Sequence, residues 1–166
     1  MTQYRTEFGA LNDFEKGSIE IIDDNPKYYT FSNVFEVADK SAPYEKVVVA
    51  KNLQYVIEAI RAEGASPWYA ADHDEFVVVM DGEVQVDLVK LDDPESNVPA
   101  GKDGAVKVEG EPQGRKMGLI KLGHGHQALL PKGAAYRFRA ASPACMIQQS
   151  ILGDLSVQKW ADICYT

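Results

Sequence analysis

The side chains that could carry chemistry in this chain are one glutamate, three histidines and several tyrosines. Glu75 lies two residues after His73, and the segment His124-Gly125-His126 places two imidazoles one residue apart. Imidazole nitrogens and carboxylate oxygens together bind iron or manganese, so a metal site is the first chemistry to consider. The His124 and His126 pair stands at a glycine turn, and we expect it outside the protein core. His73 lies between two aspartates, and we expect an outer histidine hydrogen-bonded to a neighbouring acid.

Short strands must position these side chains. Apolar and polar alternation, with many β-branched and aromatic residues, predicts strands at 28–37, 44–50, 54–61, 76–80, 84–88, 117–122, 128–130, 136–140 and 144–152. Asp81-Gly82 between two of them predicts a β-hairpin. Segment 92–114 is rich in Pro, Gly and acid, and predicts an inserted loop with a short strand at 105–108.

These elements predict one all-β domain over residues 1–166, with a barrel or sandwich core at about 27–152. A short helix near 11–16 and an apolar tail at 153–166 complete the predicted organisation. The net charge of −8 disfavours a nucleic-acid partner, which requires a basic stripe. The start of the chain lacks an apolar signal core, and we expect a cytoplasmic protein in which Cys145 and Cys164 are free thiols.

Two segments resemble the paired signature motifs of the cupin superfamily, whose fold is a jelly-roll barrel. Glu75 followed after six residues by Gly82 matches the end of the first motif. Gly125 followed after five residues by a Pro-Lys-Gly triplet at 131–133 matches the start of the second. The resemblance implies three histidines and one glutamate on neighbouring strands that face the barrel interior and bind a metal.

Carried onto this chain, the motifs leave a single ligand. The two histidine positions of the first motif fall on Tyr69 and Ala71 if three residues separate the second histidine from Glu75. If four residues separate them, the positions fall on the residue before each of these. The histidine position of the second motif falls on Tyr136, so only Glu75 remains. One carboxylate does not hold a transition metal. We therefore expect no metal in this chain and vestigial ligand positions at Tyr69, Ala71, Glu75 and Tyr136.

The aromatic residues at these positions have two interpretations. Tyr69 and Tyr136 could fill the barrel as core, with Glu75 accepting a hydrogen bond from a phenol. Alternatively, Trp68 or Tyr69 projects from the barrel mouth into the pocket of a partner.

A narrower resemblance covers nearly the whole chain. The segments SPWYAADHDEFVVVMDGEVQVDLVKL, GHGHQALLPKGAAYRFRA and QKWADICYT resemble the small, α subunit of two-component hydroquinone 1,2-dioxygenases. The resemblance implies a larger cupin subunit that carries Fe(II) and an α2β2 heterotetramer. It also implies a role in aromatic degradation, in which the complex opens the ring of hydroquinone with O2 to give 4-hydroxymuconic semialdehyde. This chain would be the non-catalytic subunit, and its candidate contacts with the partner are Trp68, Tyr69, His73, Trp160 and Tyr165.

Two other functions stay open at this point. One is a stand-alone, metal-free cupin that binds a small phenolic or apolar ligand in an aromatic-lined interior. The other is a non-metal isomerase in which Glu75 and Tyr136, with His73, transfer protons.

Overall fold

The computed structural model describes residues 33–159, which form two short helices and ten strands. In chain order these are α1 (Val34–Lys40), β1 (Lys46–Asn52), β2 (Tyr55–Ala65), β3 (Trp68–Ala71), β4 (Glu75–Asp81), β5 (Val84–Leu91), α2 (Pro94–Asn97), β6 (Ala105–Val108), β7 (Gly114–Leu122), β8 (Gln127–Leu130), β9 (Ala134–Ile151) and β10 (Ser156–Val157). None of the helices in 33–159 has the length and apolar character needed to span a membrane.

The ten strands form one curled sheet with β9 running through both of its halves. The C-terminal part of β9 lies between β2 and β4, which gives a first half in the order β10-β1-β2-β9-β4-β8. Its N-terminal part lies between β5 and β3, which gives a second half in the order β7-β5-β9-β3-β6. All pairs are antiparallel except β1 with β10.

The two halves face each other across one hydrophobic core. Side chains from both halves join this cluster, among them Ile60, Val77, Val86, Phe138 and Met146. Each strand turns alternate residues toward the cluster, as β-strand geometry requires. The described residues form an all-β jelly-roll barrel, which confirms the predicted fold class.

Most predicted strands are confirmed within a few residues. The segments 136–140 and 144–152 were predicted as separate strands, but they form the single 18-residue strand β9. β3, which carries two of the vestigial ligand positions, was not predicted, because its four residues are all apolar or aromatic and show no apolar–polar alternation. The short strand expected at 105–108 is β6, and the segment around it also holds the unpredicted helix α2.

The predicted strand over 28–37 is wrong from residue 34 onward, where helix α1 begins. The Asn33 side-chain oxygen accepts hydrogen bonds from the amides of Phe35 (3.1 Å) and Glu36 (3.3 Å). This N-cap satisfies amides that have no partner within the helix. Glu36 also forms an ion pair with Lys40 one turn later. Residues 28–32 and the helix predicted near 11–16 lie outside the described residues.

The hairpin predicted at Asp81-Gly82 is also wrong. β4 pairs with β8 and β9, whereas β5 pairs with β7 and β9, so the turn carries the chain from one half of the barrel to the other. Gly82 has a φ of 81°, and a Cβ at this position would stand 2.6 Å from the Cβ of Ala144. The glycine therefore allows the turn to pass closely over β9 at the corner of the barrel.

Candidate functional site in the barrel interior

The fold brings three of the four vestigial ligand positions together. Tyr69 on β3 is the register partner of Tyr136 on β9, and their ring centroids are 5.7 Å apart. The Tyr136 hydroxyl donates to Glu75 Oε2 at 2.5 Å. Ala71 is buried at the end of β3 and offers no side-chain donor atom. The interpretation of the two tyrosines as barrel core agrees with this packing.

Glu75 is fully buried, and both of its carboxylate oxygens accept hydrogen bonds from this chain. Oε2 accepts from Tyr136, and Oε1 accepts from the Ser150 hydroxyl at 2.6 Å. Hydrogen bonds to an ionised acceptor are stronger than those between neutral groups. The carboxylate is therefore a satisfied internal group rather than one aimed at an open cavity.

A second set of buried polar groups continues from this cluster. The Gln148 side-chain amide donates to the Tyr136 oxygen at 3.0 Å, and its own oxygen accepts from the Lys46 ammonium at 2.9 Å. Lys46 Nζ lies 3.6 Å from Glu58 Oε2, and the Ser156 hydroxyl donates to Glu58 Oε1 at 2.6 Å. Of these groups, Lys46, Glu58 and Gln148 are each at most 4% exposed.

Burial determines the acid–base behaviour of this interior. It raises the pKa of Tyr69 to about 12. It also holds the pKa of Tyr136 well above the usual tyrosine range, and the nearby Glu75 carboxylate acts in the same direction. Burial raises the pKa of Glu58, while Lys46 and the Ser156 hydroxyl favour its charged form. The two phenols are thus neutral at neutral pH.

The residues at the ligand positions do not fit a metal ion. A metal site requires several donor atoms with free lone pairs, whereas these positions supply a neutral phenol, an alanine, a second phenol and a carboxylate already bound at both oxygens. Residues 33–159 contain no group of three or more His, Cys, Asp or Glu side chains placed to hold a metal.

The three histidines lie at the edges of the barrel. His124 and His126 are exposed in the turn between β7 and β8, where the Gly123 amide donates to His126 Nδ1 at 3.0 Å. His73 Nε2 lies 3.2 Å from the Ser150 hydroxyl oxygen and 3.9 Å from Glu75 Oε1. We expected His73 to bond a neighbouring acid; its ring turns toward the interior cluster, where Ser150 is nearer than the Glu75 carboxylate.

Trp68 lies on the opposite side of the sheet from Tyr69. Its ring packs with Leu91, Val98 and Val108 and is covered by the Arg137 guanidinium, 4.4 Å from the ring centre. The indole N–H donates to Glu111 Oε2 at 3.1 Å. Both Trp68 and Tyr69 are therefore buried in the chain itself, and neither projects as a free side chain. Trp160 and Tyr165 lie outside the described residues.

Sequence reasoning missed Lys46, Glu58, Gln148 and Ser150. A signal for three of them was present. Glu58 lies on the same face of its strand as Val56 and Ile60, which are buried. Ser150 and Gln148 likewise share the parity of Met146 on β9. Polar residues on a strand are expected to face water, and only the pairing of β1, β2 and β9 shows that this parity faces the interior.

Two crystal structures match this chain over almost its full length. One is hydroquinone 1,2-dioxygenase from Sphingomonas sp. TTNP3 with 4-hydroxybenzoate bound, with 58% identity, 98% coverage of both chains and a TM-score of 0.82. The other is hydroquinone 1,2-dioxygenase PnpCD in complex with Cd2+ and 4-hydroxybenzonitrile, with 51% identity, coverage of 99% of this chain and 98% of that chain, and a TM-score of 0.79.

The chain belongs to the hydroquinone 1,2-dioxygenase family.

Structures of hydroquinone 1,2-dioxygenase also contain a longer chain of similar fold. PnpCD in complex with Fe3+ aligns with 90% of this chain but only 42% of its own length, at 12% identity and a TM-score of 0.57. A chain of the Sphingomonas enzyme in complex with 4-nitrophenol likewise aligns over only 40% of its own length, at 12% identity and a TM-score of 0.59. At this identity the likeness shows the fold alone. No protein-family model and no curated protein matches the chain.

Proposed function

We propose that this chain is the non-catalytic small subunit of an Fe(II)-dependent hydroquinone 1,2-dioxygenase. The observation that carries the proposal is the 58% identity over 98% of both chains with a chain of that enzyme. The longer chain found in structures of the same enzyme shares only 12% identity with this one. In this proposal the larger cupin subunit carries the iron, and O2 opens the hydroquinone ring to give 4-hydroxymuconic semialdehyde. The complex is an α2β2 heterotetramer in the cytoplasm.

The barrel interior supports the non-catalytic role. The Glu75 carboxylate is fully buried and bound at both oxygens by Tyr136 and Ser150. A proton-transferring isomerase would need this carboxylate to reach a substrate. A stand-alone binding cupin would need space where the Tyr69 and Tyr136 rings stand. Both alternative functions are therefore less well supported than the subunit role.

An exposed apolar row supports a subunit role as well. Leu129 on β8 and Phe76 on β4 are register partners, and Phe76 is joined across Gln149 to Ile57 on β2. The three apolar side chains are 37–47% exposed. Large exposed apolar side chains that share the outer face of one sheet, here with Gln149 between two of them, are typical of a protein contact. We propose that the larger subunit covers this row.

The experiment is reconstitution with the larger subunit. The two chains are purified separately, and hydroquinone consumption is measured with each alone and with both mixed. We expect activity only from the mixture, because a partner that binds the folded iron subunit stabilises it. Equal activity of the larger chain alone would contradict the subunit role.

A matched pair of variants tests the apolar row. Phe76→Asp places a charge in the row, whereas Leu119→Asp places one on β7 at a side chain of similar exposure (43%). We expect Phe76→Asp to reduce complex formation in size-exclusion chromatography at least 10-fold, and Leu119→Asp to leave it unchanged. Equal effects would show that the row is not the contact.

We propose that Trp68, although buried beneath Arg137 and Glu111, is the residue of this chain that lies nearest the active site of the partner. Its cover consists of Arg137 and Glu111, and Glu111 belongs to the inserted segment and is 74% exposed at its side chain. Trp68→Phe keeps an aromatic ring but loses the indole N–H. We expect a raised KM for hydroquinone with an intact complex; an unchanged KM would exclude this role.

A further inference from the structure

Lys46 holds a positive charge inside the barrel of this chain. The residue lies at the start of β1 and is 4% exposed. Its ammonium donates to Gln148 Oε1 at 2.9 Å and lies 3.6 Å from Glu58 Oε2. It also stands 5.1 Å from the centre of the Tyr69 ring, on the aromatic face that attracts a cation.

We propose that the Lys46 ammonium is the internal cation of this barrel and closes its vestigial ligand positions to metal ions. The proposal rests on the cupin fold and on the interior of this chain, and it does not depend on the subunit role. It states that the loss of ligands is only part of the difference from a metal-binding barrel. A fixed positive charge is built into the same interior.

The geometry connects the ammonium to every position of the vestigial site that carries a polar group. Tyr69 faces the ammonium directly. Tyr136 is reached through Gln148, and Glu75 is reached through Tyr136. The ammonium therefore terminates a continuous hydrogen-bonded chain that ends on the carboxylate.

Electrostatics give the consequence for a metal ion. Lys46 is paired with Glu58, because an uncompensated buried carboxylate is costly. A divalent cation bound at the Tyr69 position would meet the like charge of this ammonium, which stands 5.1 Å from the Tyr69 ring centre. The effective dielectric of a protein interior screens such repulsion only partly.

The first test restores the ligands with and without the cation. The variant Tyr69→His, Ala71→His, Tyr136→His keeps Glu75 and has four ligand side chains. Co(II) binding is titrated by its visible absorption. Adding Lys46→Met to this background should raise the Co(II) affinity at least about 100-fold. Adding Lys51→Met instead removes an exposed lysine from the same strand and should leave the affinity unchanged.

Two outcomes of this titration would overturn the proposal. One is Co(II) binding of equal affinity with and without Lys46. The other is the absence of binding in both variants when circular dichroism shows that both are folded, because removal of the cation would then not have opened the barrel.

A second test uses single variants and does not require the redesigned site to fold. The groups that face Glu58 are Lys46, Ser156, Glu75, Tyr69 and Tyr136. Lys46 is the only cation among these, so Lys46→Met should leave Glu58 uncompensated. Burial already raises the pKa of Glu58 in the folded state. Stability linked to such a group is present below its unfolded pKa and is lost as the pH rises through the folded pKa.

We therefore expect Lys46→Met to lower the folding equilibrium constant at least 100-fold at pH 8, with a smaller loss at pH 5, in urea unfolding. Adding Glu58→Gln should recover most of the loss at pH 8. Lys51→Met is the control, and its stability should match that of the unchanged protein at both pH values. A Lys46→Met protein as stable as the unchanged one at pH 8 would show that Lys46 is not a required internal cation.

Discussion

At Glu75 the sequence motif predicts a metal ligand, whereas the barrel uses the carboxylate as a hydrogen-bond acceptor. The motif places a carboxylate at this position, and the fold encloses it with the hydroxyls of Tyr136 and Ser150. His73 stands at the outer end of this cluster and reaches Ser150. The carboxylate thus acts as the acceptor around which the buried tyrosine and serine are arranged.

The residue-scale prediction concerns Tyr136→Phe. Loss of the hydroxyl removes a hydrogen bond to buried Glu75 and another from Gln148 without opening a large cavity. We expect a loss of about 1–3 kcal/mol in the free energy of unfolding, since buried Glu75 loses a donor and the buried Gln148 amide loses its acceptor. Urea unfolding measures it. Tyr55→Phe is the control, because Tyr55 is 48% exposed, and equal stability of the two variants would contradict the assigned network.

Among the elements, β9 does most to define the barrel. Its 18 residues pair with β2, β3, β4 and β5, so the same strand closes both halves. The turn at Asp81-Gly82 crosses over it, and Gly82 stands against Ala144. The corner of the barrel therefore depends on one glycine whose backbone is in the left-handed region.

The element-scale prediction compares two glycines. Gly82 (φ 81°) and Gly110 (φ 68°) both have a left-handed backbone, so a side chain would add similar backbone strain at either position. A Cβ at Gly110, however, meets nothing within 4 Å. We expect Gly82→Ala to be about 1–3 kcal/mol less stable than Gly110→Ala, because only the first also forces Ala144 aside. Thermal and urea unfolding of both proteins provide the comparison. A smaller loss at Gly82 would contradict the close crossing.

Considered as a whole, the molecule keeps several tyrosines neutral inside the barrel. Burial raises the pKa of Tyr44 and of Tyr69 from 10.0 to about 12, and it holds the pKa of Tyr136 well above the usual tyrosine range. A group of this kind supports stability below its unfolded pKa, and the support is lost as the pH rises through the folded pKa.

The whole-molecule prediction is therefore loss of stability between pH 10 and 12. Each of Tyr44 and Tyr69 contributes about 2–3 kcal/mol to this loss, since a pKa shift of one unit corresponds to about 1.4 kcal/mol. Phenolate absorbance should show a late phase that coincides with the loss of circular dichroism. The same titration in denaturant should lack that phase. Ionisation of all tyrosines near pH 10 while the protein is still folded would contradict the burial of Tyr44, Tyr69 and Tyr136.

The amino-acid sequence by itself determined the all-β class and the cupin resemblance, from which we expect Tyr69, Ala71 and Tyr136 at former ligand positions. These conclusions depend on local alternation and on residue identity at short spacings, which a single chain displays directly. The same spacings located the inserted segment and its strand β6.

Only the tertiary structure decided how the interior is filled. Lys46, Glu58 and Gln148 lie far apart in the chain, and their contact arises from the pairing register of β1, β2 and β9. The helix α1 and the crossing at Gly82 likewise depend on a cap and on a neighbouring strand rather than on periodicity. The local sequence pattern does not show which face of a strand is buried, because burial depends on the strands that pair with it.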